Sequence, residues 1–381
     1  MTDLNSRSTL WTVYLIGVIA PEVFIVQPGF VQGLVEVLGY DNETAGYIAS
    51  AEMSGLAATT VLMTFIAHRV NWRTVVYLSL STMFLANALC TTVTDADGFA
   101  ALRVLAGVGA GSLVSLSFAA VGLTSNPDRN FGIYISWVLT YGALVLWAMP
   151  LAYEIMGMSG VLWFFALFPL TAIPFVRHLP VTGETEGHAE ADAVNLAPWL
   201  KGLALAAMFA YFAAQGVVWA YLFLIGTAGG LTEQAVANGL MVSQFAGIAG
   251  ALLAAVLAHR YGRALPLAVG ILGGAFCLYF LVGELAILVF GVVVVVYNFL
   301  WNLTHPYLMA AMASFDRRGR VVVYAVAMQM IGLAVGPALG AAFIDGDDYS
   351  NVNLIGGLLF VLSFLLIVLP VLQQRRNPQG V

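Results

Sequence analysis

The sequence predicts an all-α membrane protein of twelve transmembrane helices arranged as two pseudo-symmetric six-helix bundles, and three observations carry that prediction. Of 381 residues, 61% are hydrophobic and only 9% charged, more apolar surface than a water-soluble domain of this length can bury. The apolar residues fall into runs of about 20, each enough to cross a roughly 30 Å hydrocarbon layer as a helix. The charges between the runs alternate in sign from one connection to the next.

In chain order the runs begin near Leu10, Thr44, Arg73, Gly98, Asn130, Met158, Pro198, Glu233, Ala264, Glu284, Gly319 and Asn351. Arg7 is the only basic residue ahead of the first run, which lacks a small-residue cleavage site, so it reads as a retained helix and not a signal peptide. Arg7, Arg69, Arg73, Arg129, Arg177, Lys201, Arg260, Arg263, Arg317, Arg318, Arg320, Arg375 and Arg376 fall in the termini or the even-numbered connections. The odd-numbered connections hold acids: Glu36, Asp41, Glu43, Asp95, Asp97, Glu154, Glu233, Glu284, Asp345, Asp347 and Asp348. Short cytoplasmic loops retain Lys and Arg, which places both termini in the cytoplasm; the short loops fit a bacterial inner membrane. The net charge of −6 is split between two faces and points to no nucleic-acid partner. Cys90 and Cys277 lie inside apolar runs, where a thiol packs as a small hydrophobe.

An internal repeat organises the chain. Ala67-His68-Arg69 ends the second run and Ala258-His259-Arg260 the eighth; Asp128-Arg129 precedes the fifth run and Asp316-Arg317 the eleventh. Echoes in register with run number argue for two homologous halves. The polar stretch from Arg177 to Ala197, with Glu184, Glu186, His188, Glu190 and Asp192, reads as a linker. The expected division is an N-terminal bundle over 1–177, a cytoplasmic linker over 178–197 and a C-terminal bundle over 198–381.

These features, together with two short motifs, resemble the major facilitator superfamily over nearly the whole length. The family's loop signature of Gly, Asp-Arg and Gly-Arg appears in degraded form as Thr64, His68, Arg69, Asn71 and Arg73, and again as Ala255, His259, Arg260, Gly262 and Arg263. In both copies His replaces the acid that the resemblance implies helps latch one conformation. A His there either makes the latch pH-sensitive or is a plain interfacial group. Arg103-x-x-x-Gly107-x-Gly109-x-Gly111 resembles the family motif associated with proton-coupled members. Its glycines lie inside an apolar helix and let neighbouring helices approach closely. The family's antiporter pattern in the fifth span is reduced to Gly142 and Met149-Pro150, while Gly332-x-x-x-Gly336-Pro337-x-x-Gly340 occurs in the eleventh, where it is less diagnostic. Resemblance thus implies alternating access, with His68, Arg69, Arg73, His259, Arg260, Arg263, Gly336 and Pro337 as candidates for conformational gating.

A guanidinium in hydrocarbon demands a partner, and depth supplies two for Arg103. Glu22 falls roughly 18 Å into the first span and Glu52 roughly 12 Å into the second from the other side, nearly the same level, with Arg103 about 7 Å down and reaching inward. Two acids and one base leave one carboxylate without a fixed countercharge, and desolvation favours its protonated form near neutral pH. Glu22, Glu52 and Arg103 are therefore the candidate proton-coupling residues; a static ion pair is the alternative. Pro21 and Pro28 bracket Glu22 and loosen the helix, so the first span is expected to line a cavity, with Gln27 as a second polar group.

Candidate substrate contacts lie on helical stripes: Asn298, Trp301, Asn302 and His305 on the tenth span, Tyr211, Gln215 and Trp219 on the seventh, and Tyr134, Trp137 and Tyr141 on the fifth. Gln244 and Gln329 complete the set of polar groups at mid-depth. Buried acids opposite aromatic rings would suit a cationic or amphipathic organic molecule. The sequence thus points to a proton-coupled secondary transporter for a small organic molecule, working as a monomer in the lipid bilayer, with no cofactor beyond the proton. The alternative is a uniporter or exchanger of the same fold in which the charges are structural. An intramembrane enzyme is disfavoured: no His-Glu-x-x-His, Asp pair, nucleophile elbow or metal-ligand spacing is present.

Overall fold

The computed structural model describes residues 4–182, 195–257, 262–316, 320–346 and 348–376, and these are almost entirely helical. The chain divides into two compact units, Met1–Glu186 and Gly187–Val381. Nine helical stretches among the described residues are long and apolar enough to cross a membrane. One of them, Arg129–His178, has 50 residues, enough to cross twice. Two shorter apolar helices, Arg7–Ile19 and Ala264–Tyr279, stand where the first and ninth spans were expected. The twelve predicted spans are thus all represented.

In the first unit, α1 (Arg7–Ile19) is followed by turns over 20–26, α2 (Gln27–Gln32) and a π-helical turn (Gly33–Val37). Then come α3 (Asn42–Ile66), α4 (Trp72–Cys90), α5 (Ala96–Gly122), α6 (Pro127–Leu170) and a 3-10 turn (Ile173–His178). Polar side chains just ahead of the helices stop fraying by accepting from otherwise unpaired amides: Ser6 from Thr9, Asp41 from Thr44, Asn71 from Arg73 and Asp95 from Gly98. The fifth and sixth spans are both in α6, which bends at Gly157 (φ 61°, ψ −171°), a conformation open essentially to glycine alone.

The second unit holds α7 (Pro198–Ala228), α8 (Glu233–Leu257), α9 (Ala264–Tyr279), α10 (Ile287–Ser314), α11 (Arg320–Ala341) and α12 (Ser350–Arg376). The repeat seen in the sequence recurs as a repeat of helix partners. α3 packs on α5 as α8 packs on α10, α1 on α6 as α7 on α11, and α4 on α6 as α9 on α12.

Small residues set these contacts. A Cβ on Gly55, Gly107 or Gly111 would collide with backbone of the facing helix in the α3–α5 pair. In the α7–α11 pair, a Cβ on Gly332 would lie 2.7 Å from the Phe209 carbonyl and one on Gly336 2.5 Å from the Gly216 Cα. Association in lipid relies on such close backbone packing, because lipid tails are as apolar as the side chains.

Candidate functional site

The first span is broken where its acid sits. Pro21 has no amide hydrogen to continue the helix. The chain falls back on shorter-range bonds, from the amide of Glu22 to the Ile19 carbonyl (3.1 Å), Val26 to Val23 (3.1 Å) and Gln27 to Phe24 (3.2 Å). Pro28 does not contribute to the break. It occupies the first turn of α2, where a proline loses no helical bond. The unwinding leaves Glu22 buried, at 1% exposure.

Arg103 is fully buried and its donors are divided between two partners. Nη2 and Nε donate to Oε1 and Oε2 of Glu52, at 2.6 and 3.2 Å, in a two-point ion pair. Nη1 donates to Oδ1 of Asn87 at 2.5 Å, and the guanidinium carbon lies 5.1 Å from the centre of the Phe30 ring. Cys90 is buried on the same helix as Asn87, as expected of a thiol that packs as a small hydrophobe. The glycines of the arginine motif explain the fit. Gly107 and Gly111 bring the α5 backbone onto α3 at Glu52 and Leu56, and Gly109 brings it within 2.8 Å, measured from an added Cβ, of the Ser79 carbonyl on α4.

Glu22 reaches this pair through Asn87, whose side-chain nitrogen donates to Glu22 Oε1 (3.4 Å) and to the Phe165 carbonyl (3.2 Å). The other carboxylate oxygen, Oε2, is buried and has no hydrogen-bond partner among the described residues; neither do Gln27 Oε1 and the Tyr141 hydroxyl. Tyr141 lies within electrostatic reach of Glu22. The three predicted coupling residues thus form one cluster with two distinct acids, one saturated by arginine and one half-satisfied. Sequence reasoning missed Asn87 and Phe30. The signal for Asn87 was available: it is a lone amide in the apolar run Leu85-Ala-Asn-Ala-Leu89, where a polar group needs a reason.

The fifth-span stripe does not act as one surface. Tyr134 is buried against Ser117 (3.2 Å between hydroxyls), its ring filling the space Gly17 leaves open. Trp137 is 43% exposed and meets Trp11 edge-on, and Tyr141 stacks on Phe168. In the second unit, by contrast, the predicted polar groups are gathered. Asn298 donates to Ser243 (3.2 Å) and Gln244 (3.5 Å), and Asn302 donates to Asn298 Oδ1 (2.8 Å). His305 Nε2 lies 3.1 Å from Gln329 Oε1. The Tyr297 hydroxyl donates to Gln215, Tyr211 is buried against Phe212 and Phe360, and Trp219 and Trp301 meet edge to face at 5.7 Å.

Of the gating candidates, His259 and Arg260 lie outside the described residues. Arg69 Nε donates to His68 Nε2 at 3.0 Å, a bond that requires an imidazole nitrogen free to accept. Arg73 Nε donates to the Leu179 carbonyl (2.7 Å) and the Trp72 amide to Val181 (2.8 Å), fastening the segment after the sixth span to the start of α4. Arg263 is buried just ahead of α9. Gly336 is at the α7 contact, and the Pro337 carbonyl accepts from the Tyr221 hydroxyl at 3.0 Å.

Apolar helices long enough to cross a membrane, with an ion pair buried among those of the first unit, mark an integral membrane protein. The chain belongs to the Major Facilitator Superfamily, whose family model matches residues 10–315. Among solved structures it is similar to a D-xylose-proton symporter (TM-score 0.78, 14% identity, 98% of this chain and 99% of that one). It is also similar to the xylose transporter XylE from E. coli in a partially occluded inward-open conformation (TM-score 0.72, 14% identity, 94% and 96% covered). At that identity the likeness concerns the fold. No curated protein matches its sequence. The protein is a transporter and not an enzyme.

Proposed function

We propose that the protein is a proton-coupled secondary transporter in which Glu22 takes up and releases the coupling proton while Glu52 serves as the standing countercharge of Arg103. The observation that carries this reading is the asymmetry of the two acids. Both Glu52 oxygens are engaged by Arg103, whereas Glu22 Oε2 is buried without a partner, and an unpaired buried carboxylate is stable only when protonated. With Glu22 ionised the cluster carries one net negative charge in low dielectric; a proton makes it neutral and eases reorientation.

For the cargo we favour a small, uncharged, hydroxyl-rich solute. The amides of Gln215, Gln244, Asn298, Asn302 and Gln329 with the Trp219–Trp301 pair offer donors, acceptors and ring edges without a formal charge. The two similar structures are named for xylose. A cationic or amphipathic cargo lacks support from the first unit's contacts, where the Phe30 face is already taken by Arg103.

The test uses proteoliposomes with an internal pH dye, challenged in turn with D-xylose and other neutral sugars, zwitterions, organic cations and acids. A lumenal pH change that depends on one compound and disappears in Glu22→Gln supports the reading. Tracer uptake of a compound without a pH change would replace it with a uniporter of the same fold.

A further inference from the structure

We propose that Asn87 is the positioning residue that ties the proton site to the arginine, orienting Glu22 so that its proton resides on Oε2; this rests on the reading of Glu22 given above. The case starts from the chemistry of an amide. Its oxygen only accepts and its nitrogen only donates, so the partners fix which way the Asn87 side chain points. The carbonyl oxygen faces Arg103 Nη1, and the two amide hydrogens face two acceptors, Glu22 Oε1 and the Phe165 carbonyl. Flipping the amide would set its NH2 against a guanidinium and its oxygen against a carboxylate and a carbonyl, three repulsive contacts at once. At 0% exposure no water relieves them.

The orientation has a consequence for Glu22. Oε1 is occupied by a donor, so a proton placed there would oppose the Asn87 N–H. Oε2 has no partner and is where O–H can form. Asn87 of α4 bonds Glu22 directly, and Arg103 of α5, Glu52 of α3 and Tyr141 of α6 lie within electrostatic reach of it. Of these, Asn87 alone bonds the acid and the arginine together, with one side chain of a single rigid plane. Any displacement of Arg103 that draws the Asn87 oxygen with it withdraws the N–H from Glu22. Helix position and proton affinity are thereby linked through one amide.

The experiment needs no knowledge of the cargo. Infrared difference spectra of the full-length protein in lipid are recorded across a pH series, following the C=O stretch of protonated carboxyl groups. In the wild type, a band that is lost in Glu22→Gln identifies protonated Glu22. Asn87→Ala removes the hydrogen bond to its C=O and should move that band to higher wavenumber. Asn87→Asp, nearly isosteric, keeps the acceptor for Arg103 and removes the donor; it should move the Glu22 band as well, and it covers the case in which the alanine variant does not fold. A Glu22 band that stays in place in a folded Asn87 variant overturns the assignment of Asn87 while leaving Glu22 as the proton site. Absence of any Glu22-dependent band in the wild type overturns both.

Discussion

Gly107 on α5 lies so close to Glu52 on α3 that a side chain of any size at 107 would strike the Glu52 carbonyl oxygen. The arginine one turn earlier, Arg103, meets the carboxylate of that same glutamate at 2.6 Å. Helix contact and ion pair are therefore two aspects of one junction.

Gly107→Ala should separate α3 from α5 because the obstacle is backbone, which cannot rotate aside. We expect a loss of about 1–3 kcal/mol, the usual range for overpacking, read as a lower melting midpoint in detergent. Gly122→Ala, with open space at its Cβ, should leave the midpoint unchanged or slightly raised. Equal behaviour of the two variants would refute the close-contact argument.

Glu52→Gln and Glu22→Gln should differ in stability. The first leaves Arg103 buried without its countercharge, a loss on the order of 3–5 kcal/mol. The second removes no arginine partner and should change stability by under about 1 kcal/mol. Thermal unfolding of the purified variants decides the matter, and equal losses would mean that Glu22 shares the ion pair.

Asp41 caps α3 by accepting from Thr44 at 2.7 Å, and these bonds hold its carboxyl below the ordinary aspartate range. Because the folded-state value is depressed, the cap's contribution is complete above the unfolded value, about 4, and fades as pH falls through the folded one. Asp41→Ala should cost about 0.5–1 kcal/mol near neutrality, and the gap to wild type should close in acid. Asp41→Asn retains a capping oxygen, so any small deficit should be confined to neutral pH. Melting curves at several pH values test the sign: a gap that widened in acid would refute it.

Arg73→Ala removes the bond to the Leu179 carbonyl, leaving the Trp72–Val181 bond and the bonds from Thr9 and Thr12 to hold the segment after the sixth span. Amide hydrogen exchange over residues 173–181 should accelerate, with little change in α5. Unchanged exchange would show that Thr9, which donates to the His178 carbonyl at 2.9 Å, and Trp72 suffice.

Much of the candidate site was legible because charge in an apolar run is conspicuous. Glu22, Glu52 and Arg103 stood out for that reason, and simple rise-per-residue arithmetic placed them near one level. The arithmetic could not assign partners, since a carboxylate at the right depth can face any of several neighbours. Nor could a helical stripe tell Tyr134, enclosed by Gly17 and Ser117, from Trp137, which stays exposed beside Trp11. Shared azimuth on one helix says nothing about what stands opposite. The two prolines around Glu22 looked equivalent in sequence, but Pro28 falls at a helix start and only Pro21 falls where a bond is lost.

The sequence by itself determined the membrane class, the number of spans, the twofold repeat and the layer in which the ionisable groups lie. All of these follow from local quantities: the apolar length of a run, the sign of a loop and the spacing of echoes along the chain. Only the tertiary structure decided that Glu52 and not Glu22 holds Arg103, and that Asn87, from a third helix, joins the two. Those choices depend on which backbones approach closely enough, at Gly55, Gly107 and Gly111, for side chains far apart in the chain to share hydrogen bonds.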